Sequence, residues 1–84
     1  MDLLSKIVAI GSSIKHTISR SYNYLNFVTK ITDDYVQYTF TILINGKKLK
    51  WEVCLPINEI NSVINFDIYK NAVIERLLES LKSL

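Results

Sequence analysis

Residues 35–56 read YVQYTFTILINGKKLKWEVCLP. Val36, Tyr38, Phe40, Ile42 and Ile44 fall on alternate positions, with Gln37, Thr39, Thr41 and Leu43 between them. That is the two-residue period of a strand with one buried face, and β-branched and aromatic side chains suit such a pleated surface. Asn45-Gly46 follows, a dipeptide that fits a tight hairpin turn needing positive φ at both central residues. Beyond it Leu49, Trp51, Val53 and Leu55 share one face, and Lys48, Lys50, Glu52 and Cys54 share the other. Pro56 cannot donate to a ladder and ends the strand. The segment is therefore an antiparallel hairpin.

Working outward, residues 22–31 also alternate. Leu25, Phe27 and Ile31 fall on one face with Thr29 between them, and Tyr22, Tyr24, Asn26, Val28 and Lys30 fall on the other. Thr32, Asp33 and Asp34 supply a turn into the hairpin. Before this strand the period changes. Leu3, Ile7, Ile10, Ile14 and Ile18 recur at helical spacing, flanked by Leu4 and Val8, so residues 3–18 form an amphipathic helix. Gly11 sits inside the pattern and disfavours helix by ~1 kcal/mol relative to Ala. After the hairpin, residues 57–65 fit a loop, a short helix or a fourth strand. A last helix spans about 66–83, with Val73, Ile74, Leu77, Leu78, Leu81 and Leu84 on its apolar face and Asn65 or Asp67 as its cap.

These elements predict an α+β fold of order α-β-β-β-α, a three-stranded antiparallel sheet with two helices packed on one face. Neither amphipathic helix can bury its stripe alone, so both close over the sheet. The 84 residues form a single domain, 1–84. A chain this short buries roughly 60–65% of its unfolded surface, enough for one modest core. Hydrophobic residues make up 49% and charged residues 21%, a globular rather than a disordered mixture. The abundance of Ile, Asn and Lys is that of proteins from AT-rich genomes, compatible with a phage or viral origin.

The formal charge of +2 argues against an acidic mimic of DNA. The one cysteine, Cys54, permits neither an intramolecular disulfide nor a cysteine-rich metal site. A reducing, intracellular and cytoplasmic setting is expected. No stretch approaches the ~20 apolar residues that cross a bilayer. Asp2 and Lys6 interrupt the apolar start, so neither a secretory signal nor a membrane partner is expected.

Catalytic groups do not assemble along the sequence. His16 is the only histidine. With Cys54 it could form a nucleophile–base pair, but a solvated helix histidine and a sheet-face thiol explain both residues more simply. Gly11 and Gly46 are the only glycines, too few for a phosphate-cradling loop. Asp33 and Asp34 belong to turn chemistry. The expectation is a chain that is not an enzyme, with no cofactor, no metal and no small-molecule substrate.

The aromatics and lysines carry what functional signal there is. Trp51 shares a face with Leu49, Val53 and Leu55 and belongs to the core. Tyr22 and Tyr24 fall opposite Leu25 and Phe27, where an uncovered face would present them to a partner. Tyr22, Tyr24, Tyr35, Lys50 and Glu52 are the candidate protein-interface residues. Lys6, Lys47, Lys48, Lys50 and Lys70 are the candidates for nucleic acid, with the hairpin lysines placed for phosphate contacts. Lysines beside a sheet edge also discourage aggregation without binding anything.

Three stretches, YTFTILINGKKL at 38–49, KNAVIERLLESL at 70–81, and Leu3 and Leu4 followed by Ile7, resemble the double-stranded RNA-binding domain family. The resemblance implies the same helix–three strands–helix order. It also implies an RNA-contacting loop between the first two strands and a lysine-rich start to the last helix. Here the loop reads ITDDYVQ, without histidine and with two aspartates, and the helix start reads FDIYK, where only Lys70 matches. Duplex RNA is gripped through phosphate and 2′-hydroxyl contacts, and these changes remove much of the electrostatic attraction. The leading expectation is thus a small protein-interaction module: an adaptor, a dimerising unit or an inhibitor of a larger machine, binding another protein or itself as a homodimer. The alternative is a protein that binds double-stranded RNA or another nucleic acid.

Overall fold

The computed structural model describes residues 1–83, so the expected apolar role of Leu84 lies outside the described residues. The elements run α1 (Leu3–Ser21), β1 (Asn23–Ile31), β2 (Tyr35–Ile44), β3 (Lys47–Pro56), α2 (Ile57–Ser62) and α3 (Phe66–Lys82). The strands pair in the order β1-β2-β3, antiparallel throughout. The expected α-β-β-β-α architecture is what the chain adopts, with one short helix added.

Local chemistry sets each boundary. The Asp2 carboxylate accepts from the Ser5 N–H at 2.7 Å and starts α1. That bond holds the Asp2 carboxyl below the usual aspartate range. Asn65 caps α3 in the same way through the Ile68 N–H. Thr32 organises the first turn, its hydroxyl oxygen accepting from the Tyr35 N–H at 3.1 Å. Asn45 and Gly46 take φ of 52° and 77°, as the second turn requires. Residues 57–65, open between three readings, form α2 and a short connection to α3. Ile60 of α2 is fully buried, so this extra turn plugs the core rather than bridging solvent.

The core lies between the sheet and the helices. Val36, Tyr38, Phe40 and Ile42 of β2 meet Ile7, Ile10, Ile14 and Ile18 of α1. Val73, Leu77 and Leu81 of α3 complete it. Gly11 is explained by packing. A Cβ there would lie 3.0 Å from Tyr38 Cε1, so glycine lets the tyrosine ring lie against the helix backbone.

One expectation fails in β1. Tyr24 pairs with Ile42, but Asn26 pairs with Thr41, so a β-bulge falls at Leu25. The extra residue shifts the alternation by one. Tyr24 therefore joins Phe27 on the helix side, while Leu25 turns out to solvent. The assignment of Leu25 to the face of Phe27, and of Tyr24 to the opposite face, is corrected accordingly.

Candidate protein-docking edge

The bulge also revises the candidate interface residues. Tyr22 ends α1, its N–H bonded to the Ile18 carbonyl at 2.8 Å, and its ring packs against the core. Tyr24 is half-buried on the covered side. Neither tyrosine offers the exposed ring expected of it. Tyr35, Lys50 and Glu52 do lie on the uncovered face, opposite Pro56, Thr41 and Thr39 respectively. That face is mainly Thr, Gln, Lys and Glu in its two-strand centre, and its exposed apolar residues, Leu25 and Val28, lie on β1.

The candidate lysines do not form one patch. Lys47 and Lys48 begin β3 at the hairpin tip, and Lys50 points from the uncovered face. Lys6 is half-buried near the other end of α1, its Nζ 3.4 Å from the Ile60 carbonyl. Lys70 lies 3.8 Å from Asp67 and 5.8 Å over the Phe66 ring. Lys6 and Lys70 are thus engaged by their own chain. Two cations outside that candidate set gather at the hairpin end instead. Arg20 borders a cleft with Asn45, and Lys82 borders one with Lys47.

His16 is exposed on α1 and Cys54 is exposed on the uncovered face, so the sheet separates them. Among the described residues no three His, Cys, Asp or Glu side chains converge to hold a metal. Likewise no described helix is long and apolar enough to cross a membrane.

An exposed apolar surface lies where β1 meets α1. Leu4, Val8 and Ile31 are 62%, 59% and 50% exposed. With Ile7, Phe27 and Thr29 they line a groove of ≈ 380 Å³. Lys15 closes one end, its Nζ 5.6 Å over the Phe27 ring. The groove runs beside an open sheet edge, because β1 pairs only with β2. Which backbone groups point outward follows from the turn. The Thr32 N–H donates to the Tyr35 carbonyl at 2.9 Å, making this a hydrogen-bonded pair. Antiparallel pairs alternate, so Lys30 and Val28 bond to β2 while Ile31, Thr29 and Phe27 aim their N–H and C=O groups at the free edge. Their side chains form the groove floor. An apolar groove and an unfilled hydrogen-bonding edge thus coincide on three alternate residues.

Sequence reading missed this site, although part of its signal was present. Leu4 and Val8 lie one turn apart at the shoulder of the α1 stripe and widen it beyond what one neighbouring layer covers. That β1 would be an edge strand is a property of topology. No protein-family model, no curated protein and no solved structure matches this chain.

Proposed function

We propose that this chain is a small non-catalytic protein-interaction module that docks its partner along β1. The coincidence of the free β1 edge with the Leu4–Val8–Ile31 groove carries this reading. Strand addition draws affinity from main-chain hydrogen bonds and specificity from alternate side chains, and both elements are present together here. Exposed apolar side chains beside an unpaired edge are an aggregation hazard unless something covers them. The single cysteine suits a reducing cytoplasmic setting.

The test is a photo-crosslinking amino acid placed at Val8, with Glu75 on the wet side of α3 as control. Expressed in its native cell, the Val8 derivative captures protein and the Glu75 derivative does not. Equal yields at the two positions overturn the proposal.

A second reading has its own observation. Arg20, Lys47 and Lys82 border neighbouring clefts at the hairpin end, with Lys48 next to Lys47 in β3, a place for phosphate contacts and for a remote relative of duplex-RNA binders. It predicts retardation of nucleic acid that fades steeply with salt and is lost in Lys47→Glu/Lys48→Glu. Absence of retardation at low salt disposes of it.

A further inference from the structure

If β1 is the docking edge, its geometry also selects an occupant. We propose that a second copy of this chain fills the groove, its β1 running antiparallel to the first about a two-fold axis at Thr29. This inference rests on the reading of β1 as a docking edge and names the partner.

The hydrogen-bond phase permits the register. An axis at Thr29 sets Thr29 against its own copy and Phe27 against Ile31 of the other. All three are outward-facing residues, so each finds N–H and C=O groups that are also unfilled. The pairing stops short of the Leu25 bulge, beyond which the edge loses its regular phase. Lys30, a residue type that discourages edge pairing, stays on the uncovered face, where its long side chain remains in water.

The helices permit it too. Leu4, Val8 and Ile31 line one groove, Lys15 lies over Phe27, and only Tyr22 separates α1 from β1, so α1 runs antiparallel to β1 and Val8 would fall near the level of Thr29. Gly11 packs on both Tyr38 and Phe27, which sets α1 above the junction of β2 and β1 rather than over β1 itself. With neighbouring strands ~4.8 Å apart, α1 and its copy would lie roughly 10 Å apart, a normal helix-packing distance. Val8 would then meet Val8, and the two Leu4 side chains would close over the strip from both ends.

Charge complements the apolar strip. Asp2 and Lys15 stand nearly equidistant from Val8 along α1, on opposite sides of it. A two-fold through Val8 reverses the helix, bringing Asp2 of each copy beside Lys15 of the other. The apolar centre is thus flanked at both ends by opposite charges, a self-complementary arrangement as an isologous interface demands.

Sedimentation equilibrium of the purified chain tests the inference. The expected result is a monomer–dimer equilibrium that Val8→Glu weakens about tenfold or more, since the charge would be buried against its own copy. Ile68→Glu, on the exposed side of α3, leaves it unchanged. A charge swap reads the symmetry directly. Lys15→Glu and Asp2→Lys each weaken self-association, yet mixing the two variants restores a heterodimer, because both flanking contacts become attractive again. Circular dichroism of each variant verifies that it is folded. A wild type that stays monomeric at near-millimolar concentration overturns self-pairing, as does a dimer indifferent to Val8→Glu, or two defective variants that fail to rescue each other. A monomer that still crosslinks through Val8 to a different protein in cells overturns self-pairing alone. A monomer with no Val8 crosslink overturns the docking edge as well.

Discussion

The Tyr38 hydroxyl donates a 2.6 Å hydrogen bond to the Ile7 carbonyl, tying the middle strand to the first helix inside the core. Tyr38 is fully buried, and burial pushes its phenol well above the usual tyrosine range. The Ile7 carbonyl also sits within a regular helix, so the tyrosine takes its second lone pair. Tyr38→Phe should therefore destabilise by about 1 kcal/mol, the net worth of one buried hydrogen bond. A lower urea midpoint at unchanged m-value is the readout. A loss above ~3 kcal/mol would mean that the hydroxyl anchors more than this carbonyl.

Gly11→Ala tests the same junction from the helix side. On an isolated helix the change stabilises by ~1 kcal/mol. Here the new methyl would lie 3.0 Å from a Tyr38 ring carbon, and that ring is held by its hydroxyl at one end and by Phe27 at its side. Overpacking costs typically ~1–3 kcal/mol, so the net effect in the wild type is destabilising. In a Tyr38→Leu background the obstruction is gone, and Gly11→Ala should stabilise. A double-mutant cycle checks for this reversal of sign, since the two sites are in contact and their effects should not add.

What could be read from the sequence depended on how local its cause was. Val36 to Leu55 announced strand, turn and strand because alternation and Asn45-Gly46 act between neighbours. Gly11 looked like a flaw in a helix until Tyr38, remote in sequence, supplied the reason. The open edge of β1 and the shallow cover that α1 gives it depend on strand order and helix placement. No short window encodes either, so Leu4 and Val8 read as mere flanks of the α1 stripe and Ile31 as one more residue on the face of Phe27. The bulge at Leu25 carries neither glycine nor proline to mark it, and a strict two-residue count misassigned Tyr24 and Leu25.

That misassignment gives a direct comparison. Strict alternation makes Leu25 the buried residue and Tyr24 the exposed one, whereas the bulged strand reverses them. Leu25 is 49% exposed, and Tyr24 packs against the core. Leu25→Lys should change stability by no more than ~0.5 kcal/mol, as surface substitutions do. Tyr24→Lys should cost ~2 kcal/mol or more, through lost packing and a cation forced toward an apolar layer. Chemical denaturation of the two variants side by side ranks them, and the opposite ranking would remove the bulge from this account.

Tyr69 offers the counterpart to Tyr38. Its hydroxyl is buried and makes no hydrogen bond of acceptable geometry, although the Glu59 carboxylate lies close by. Burial first, and the negative charge of Glu59 second, push its phenol up to about 12. In the unfolded chain a phenol titrates near ~10. Between those values the folded chain holds a proton that the unfolded chain has released, so stability falls as pH rises through the window. Below pH ~10 both states carry the proton and this contribution is fully present. Tyr69→Phe should flatten the decline between pH 10 and about 12, leaving the part due to Tyr38. At neutral pH the same substitution removes a buried polar atom without a partner, so it should be neutral or stabilising by ~1 kcal/mol, the opposite sign to Tyr38→Phe. Denaturant unfolding of the wild type and both phenylalanine variants at neutral and alkaline pH separates the two phenols. A destabilised Tyr69→Phe at neutral pH would mean that the hydroxyl does bond to Glu59 in solution.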